Sequence, residues 1–212
     1  MYLRPGENVQ VARLMEFLLA AECLATNIAQ HQVRLAPDAK SRRFLIQQAR
    51  QERVHAAVFH RARRWLASRA SHTPPALVAV SRYESLAQAA LARGDFDESV
   101  VALQVVLEGL GDVVLHNVDA GLSRRGLGFA RLRRMLRQQE QTHHAFGAHL
   151  FQRRIELGAT DSEGLRSRAE RYFELVDTML AQLADLFVAF DEDPAQYRAA
   201  FLQTLPTWLP AL

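Results

Sequence analysis

Glu52 and His55 lie three positions apart in "RQERVHAAVF" at residues 50–59, and Glu140 and His143 repeat that spacing in "RQQEQTHHAF" at residues 137–146. Three residues is close to one helical turn, so a carboxylate and an imidazole so spaced share a face and can approach one centre. The chemistry such a pair offers is metal binding. The carboxylate bridges and neutralises divalent ions, and the imidazole supplies a nitrogen. In a chain of this composition two pairs alone are weak evidence. Their weight depends on the elements that carry them.

Ala, Leu, Arg, Gln and Glu dominate the sequence, Gly and Pro are sparse, and no alternating valine-rich strand pattern occurs, so the chain is expected to be all-α. A first helix is expected over 7–35, where "APDAK" makes a turn: Pro37 stops it and Asp38 is placed to cap a second helix over 39–68. The paired prolines of "SHTPPA" break the chain. A shorter helix over 77–92 ends at Gly94, and "GDFDES" offers caps for a third long helix over 96–120. "GLSRRGLG" turns the chain into a fourth over 129–157. After Gly158 and "TDSEG" a fifth covers 163–190, Pro194 opens a short one, and "PTWLPAL" ends the chain. Four long helices in two hairpins, joined by a long connection, suggest an antiparallel bundle with a crossover, the fifth helix packing against its side. One domain is expected over 1–212, its bundle core over 7–157 and further helices over 161–212.

Antiparallel helices bring to one height the residues equally far from their turn. In the first hairpin Glu22 precedes the turn by about 15 residues and Glu52 follows it by about 15, which at a rise of 1.5 Å per residue makes them level, while Glu16 falls nearly two turns away. In the second, Glu108 and Glu140 stand about 16 residues either side of the turn near Arg124 and Arg125. The helix opening each hairpin thus contributes one Glu, and the helix closing it contributes Glu and His. Four carboxylates and two imidazoles are the ligand inventory of a dinuclear metal site in a four-helix bundle. Glu108 adds its own argument. In "VALQVVLEGLGDVVL" it is surrounded by apolar residues, and burying an uncompensated carboxylate costs several kcal/mol, so a cation is expected beside it; a core arginine or histidine partner, or protonation, is the other solution.

Nearby residues take lesser roles. Asp112, one turn beyond Glu108, is a candidate acceptor for the distal nitrogen of a ligand histidine. His116 is expected outside the site, and His144 competes with His143 but sits four from Glu140 rather than three. Cys23 is expected to be a small core residue. Gly109 and Gly111 leave space beside Glu108 for dioxygen or a substrate, permit a local helix distortion, or allow close helix packing.

Composition sets outer bounds. Cys23 is the only cysteine, so no intrachain disulfide forms. No apolar leader is evident in "MYLRPGENV", and the most apolar run, 100–115, carries Gln104, Glu108 and Asp112, so a soluble, cytoplasmic protein with no membrane association is expected. The formal charge is +3, with Lys40 the sole lysine. Arginines fall in many segments without interleaved aromatics, which reads as a solvated helix surface rather than a nucleic-acid interface.

The series Glu22, Glu52 with His55, Glu108, and Glu140 with His143 resembles the ferritin-like dimetal-carboxylate superfamily over residues 7–157. Within it the layout is loosely similar to the cyanobacterial aldehyde-deformylating oxygenases, whose "EYLHLNFG"-like segment has a counterpart in "EQTHHAFG". The resemblance implies a ferritin-like bundle binding two metal ions, Fe/Fe or Mn/Fe, through those six residues. It implies an oxidoreductase that activates dioxygen against a small, apolar organic substrate and draws on an unidentified electron donor, as a monomer or homodimer. A ferroxidase or iron store, and a tRNA-directed hydroxylase, are the other functions the layout accommodates; the basic balance fits poorly with the acidic interior of a storage shell.

Overall fold

The structure is a computed structural model describing residues 7–66, 76–124, 126 and 128–209. Among them every regular element is helical: α1 (Glu7–Leu35), α2 (Ala39–Leu66), α3 (Ala76–Ala92), α4 (Phe96–Val100), a π-helical segment (Val101–Leu107), α5 (Glu108–Arg124), α6 (Ala130–Glu156), α7 (Ser162–Ala189) and α8 (Pro194–Thr204). The "SHTPPA" break lies almost wholly outside the described residues.

Local chemistry sets most boundaries. Asp38 accepts from the Ser41 amide and hydroxyl at 2.8 and 3.0 Å, closing the first turn of α2. Asp95, Asp161 and Asp193 do the same for α4, α7 and α8, the last with Pro194 in the first turn. Two boundaries differ from expectation. The third long helix runs on to Arg124, through Gly121, and α6 begins after Phe129, which holds a left-handed φ of 67°. More consequentially, that third helix is not uniformly α: over the seven residues before Glu108 it widens into a π-helix, a rare form frequent at functional sites.

α1 packs along α2, α6 packs along the π segment and α5, and α1 faces the π segment, so the four long rods close a bundle. α3, α7 and α8 pad it on the side of α1, the π segment and α5. One apolar cluster runs from Val11 on α1 to Leu209 near the chain end. The stretch Phe96–Gly121 is apolar enough to cross a membrane by composition, but 83% of its most apolar window is buried inside the protein: it is the central rod of the core.

Candidate metal centre

The antiparallel geometry brings all six residues singled out by spacing to one point. Glu22 comes from α1, Glu52 and His55 from α2, Glu108 from the junction of the π segment with α5, and Glu140 and His143 from α6. All six are buried, Glu52 and His55 completely. His55 Nδ1 lies 3.0 Å from Glu52, 2.9 Å from Glu140 and 3.4 Å from Glu22. His143 Nδ1 lies 2.8 Å from Glu52 and 3.6 Å from Glu108. The side chains form two overlapping groups, Glu22–Glu52–His55–Glu140 and Glu52–Glu108–Glu140–His143, each with its ligand-type atoms within 4.8 Å of one another. Sequence spacing divides the six by hairpin. The geometry divides them otherwise, because Glu52 and Glu140 belong to both groups.

The donor atoms lack partners. Both oxygens of Glu52, one of Glu140, and Nδ1 of His55 and of His143 are buried without an aligned hydrogen bond, although they lie at ion-pair distance. Glu98 shows how this protein stabilises a buried carboxylate for structure alone: Arg93 and Arg171 each reach it at 2.8 Å and Tyr172 donates at 3.2 Å. Among the described residues no arginine or lysine pairs with any of the four central carboxylates. Four negative charges and two inward-facing nitrogens match two divalent cations in charge and donor type, so the residues present fit a dinuclear ion site.

Without such ions the carboxylates act on one another. Burial, then the charge of Glu140, pushes the Glu22 carboxyl well above the usual range; burial, then the charges of Glu52 and Glu140, does the same to Glu108. Burial opposes the charged form of His55, but contacts to Glu140, Glu22 and Glu52 outweigh it and hold the imidazole well above its ordinary value. Glu52 is the reverse case. Burial pushes it up, yet contacts to His143 and His55 prevail and hold it at about 2.

The outer nitrogens reveal residues that sequence reasoning missed. His55 Nε2 meets Gln139 Oε1 at 2.7 Å, and His143 Nε2 meets Gln51 Oε1 at 2.9 Å. Each glutamine stands immediately before the Glu of its own motif and four before its His, and each serves the histidine of the other helix. Asp112, the expected acceptor, is directed instead toward Arg137, with 3.6 Å between charged atoms. A second missed set lies beyond Glu108. Gln48 donates to Glu108 Oε1 at 2.7 Å and accepts from Gln104 at 2.9 Å; Gln104 exchanges hydrogen bonds with Gln32, which also donates to Ser99. These three glutamines are wholly buried and fix the orientation of Glu108, whereas among the described residues Glu22 is reached by His55.

The remaining candidates fall outside. His144 bridges the carbonyls of Gln104 and Thr204, at 3.0 and 2.8 Å, tying the π segment to α8. His116 is exposed, and Glu16 pairs with Arg63 at 3.2 Å. Cys23 is exposed rather than in the core, since turning Glu22 inward carries the next residue outward. Both glycines allow close packing. A Cβ on Gly111 would stand 3.2 Å from Glu140 Oε2, and one on Gly109 would stand 3.0 Å from the Thr204 hydroxyl. Gly111 also borders space, as expected: a cavity of about 30 Å³ between α1 and α5 is lined by it with Phe17, Leu18, Ala25, Leu110 and Val114 and reaches Glu22, Glu108 and Glu140. A second, of about 40 Å³, follows the same seam, lined by Val11, Leu14, Met15 and Val118.

No family model matches the sequence, and no curated protein does. A solved structure does: a protein described as protein 19 with aldehyde deformylating oxidase activity, from Synechococcus, superposes with a TM-score of 0.80 at 18% identity, covering 94% of this chain and 88% of that one. At that identity the likeness establishes the architecture, and the chain has the ferritin-like helical fold.

Proposed function

We propose that the chain is a dimetal oxidoreductase in which Glu22, Glu52, His55, Glu108, Glu140 and His143 hold two metal ions, and that it oxidises a small apolar molecule with dioxygen in the cytoplasm, as a monomer or homodimer. The observation that carries this reading is the pair of overlapping buried groups whose inward atoms have no protein partner. A pair of redox-active ions, two irons or manganese with iron, supplies the electrons that dioxygen chemistry requires.

The chain's own residues do the rest. Glu52 and Glu140, common to both groups, would be available to both ions, and Glu22 and Glu108 to one each. Gln48 holds one oxygen of Glu108, leaving the other to face the centre. Gln51 and Gln139 fix the imidazoles so that Nδ1 points inward. Apolar side chains of the α1/α5 seam exclude bulk water and present no charged anchor beside the centre, which suits an apolar guest. The cavity at the carboxylates is dioxygen-sized, and a longer substrate would need side chains along the α1/α5 seam to move. The aldehyde deformylating oxidase activity of the similar Synechococcus protein supports aldehydes as the first substrates to try.

The test begins with metal. After reconstitution with ferrous iron, elemental analysis should find close to two ions per chain, and fewer in Glu108→Ala. Mixing the anaerobic ferrous protein with oxygen should give a transient absorbance change, absent in His55→Ala and in His143→Ala alike. One ion or fewer per chain, with Glu108→Ala indistinguishable from wild type, would overturn the reading. Turnover of no aldehyde, fatty acid or aryl amine, together with sustained oxidation of many irons per chain, would move the function to iron handling.

A further inference from the structure

His144 follows the candidate ligand His143 in the chain but belongs to neither group of ligands. Both its ring nitrogens face main-chain carbonyls: Nδ1 lies 3.0 Å from that of Gln104 and Nε2 2.8 Å from that of Thr204. A histidine that merely capped a helix would need one carbonyl. Thr204 closes α8, so its carbonyl is among those that a helix end leaves without an intrahelical partner. Gln104 lies in the π segment, where hydrogen bonds span five residues rather than four.

The Glu108 amide shows that change of register directly. It bonds to the carbonyl of Leu103, five residues back, whereas an unbroken α-helix would join it to that of Gln104. His144 takes the carbonyl that this amide passes over. One residue of helix is about 100° of rotation, so the register decides where the Glu108 side chain points. In the π register it faces the centre, with His143 Nδ1 at 3.6 Å. The side chain of Gln104 acts on the same carboxylate, since it donates to Gln48, which donates to Glu108 Oε1. α8 brings the other half of the clasp. It packs along α5 and α7, and a Cβ added to Gly109 would stand 3.0 Å from the Thr204 hydroxyl and 3.3 Å from His144 Cε1. One imidazole therefore joins α6, the end of α8 and the turn that aims Glu108.

We propose that His144 is a positioning residue of the metal centre: clasped by Thr204, it holds the Gln104 carbonyl and with it the π register that turns Glu108 inward. The last helix of the chain thereby governs one ion position, that of Glu52, Glu108, Glu140 and His143, and leaves the position of Glu22, Glu52, His55 and Glu140 to the first hairpin. The proposal rests on the dimetal reading above.

The experiment compares His144→Leu with His144→Gln, two side chains of similar size of which only the second can donate to a carbonyl. Phe201→Leu loosens α8 where Phe201 meets Phe173, without touching α6 or the π segment, and His149→Gln, an exposed histidine of α6, is the control. Isothermal titration with manganese should find two ions in the wild type, in His149→Gln and in His144→Gln. In His144→Leu one ion should bind as in the wild type and the other about 10- to 100-fold more weakly, with Phe201→Leu changed in the same direction by less. Electron paramagnetic resonance supplies the signature: the exchange-coupled signal of a manganese pair should give way in His144→Leu to the hyperfine pattern of an isolated ion. In the metal-free protein, hydrogen exchange over 101–108 should quicken in His144→Leu but not in His144→Gln, while 45–55 of α2 stays unchanged. Equal behaviour of the Leu and Gln variants overturns the proposal, and so does equal weakening of both ions or unaltered exchange over 101–108. Should His144→Leu fail to fold, Phe201→Leu carries the same comparison: loss confined to one ion supports the clasp, and unchanged binding of both overturns it. A wild type that takes up no second ion counts against the dimetal reading, and exchange in the metal-free protein still decides whether His144 holds the segment.

Discussion

Glu22 and Glu108 hold protons more tightly in the folded, metal-free chain than in the unfolded one, and so does His55. For groups whose folded pKa is raised, stability is present below the unfolded value and is lost as pH rises toward the folded one. The metal-free protein should therefore lose stability from about pH 5 to pH 8, the interval above the unfolded carboxyl and imidazole values of about 4.3 and 6.5. Glu52, held at about 2, acts oppositely, adding stability that is present above the unfolded value and lost as pH falls toward 2. Melting with chelator present should thus peak near pH 5, and a melting temperature that rises from pH 5 to 8 would contradict the arrangement. The outer glutamines give a second expectation. Gln51→Leu and Gln139→Leu should each weaken metal binding by about 10- to 100-fold, and comparably, because their roles are exchanged between helices; Gln48→Leu should do so by releasing Glu108. Isothermal titration with manganese measures all three. At this scale the six central residues were legible because helix rise converts sequence distance into height. Gln51 and Gln139 left a signal too, the repeated Gln-Glu-x-x-His. Asp112 misled because adjacency along one helix says nothing about which way a side chain turns once an arginine is in reach.

The π segment is the element that sequence located least well: a distortion is one reading of Gly109 and Gly111, but the wide turn precedes Glu108, over Val101–Leu107. Its residues, "VALQVVL", are those of any buried helix, and a change in hydrogen-bond register leaves no compositional trace. What holds it comes from other helices. The Tyr83 hydroxyl of α3 donates to the Ala102 carbonyl, and His144 of α6 reaches the Gln104 carbonyl. Gly147 lets α6 approach so closely that an added Cβ would sit 2.7 Å from Gln104 Cβ. Gly147→Ala should accordingly destabilise the protein by about 1–3 kcal/mol and disturb the glutamine chain with it. Denaturant unfolding gives the first quantity, and loss of metal affinity beyond what Gly109→Ala produces tests the second. The helices themselves were readable, since aspartate caps and proline stops act locally; the extension of α5 to Arg124 was not, because packing carried the helix through Gly121.

At the scale of the whole molecule the proposed metal site would link folding to binding. Four carboxylates brought together cost stability that bound cations would return to the folded state. With free metal at 100 times its dissociation constant the gain is about 2.7 kcal/mol, which for a chain of this length corresponds to roughly 5–10 °C in melting temperature. Differential scanning calorimetry with and without chelator measures it, and identical curves with metal demonstrably removed would place the ions elsewhere than in this core. The pairing of α2 with α6, by contrast, was illegible in the sequence, because helices far apart in the chain meet only through the bundle. The exchange of glutamines across that same pairing has a further consequence. The α1–α2 hairpin carries Glu22, Gln51, Glu52 and His55, and the second hairpin carries Glu108, Gln139, Glu140 and His143 in the same order. Two copies of either hairpin about a twofold axis would present the full donor set, so each is a self-complementary half-centre. A chain half as long, pairing with itself, contains all the inner chemistry that gene duplication and fusion would then make permanent, and the π segment with its glutamine chain is what a fused chain, free to differ between its halves, could add.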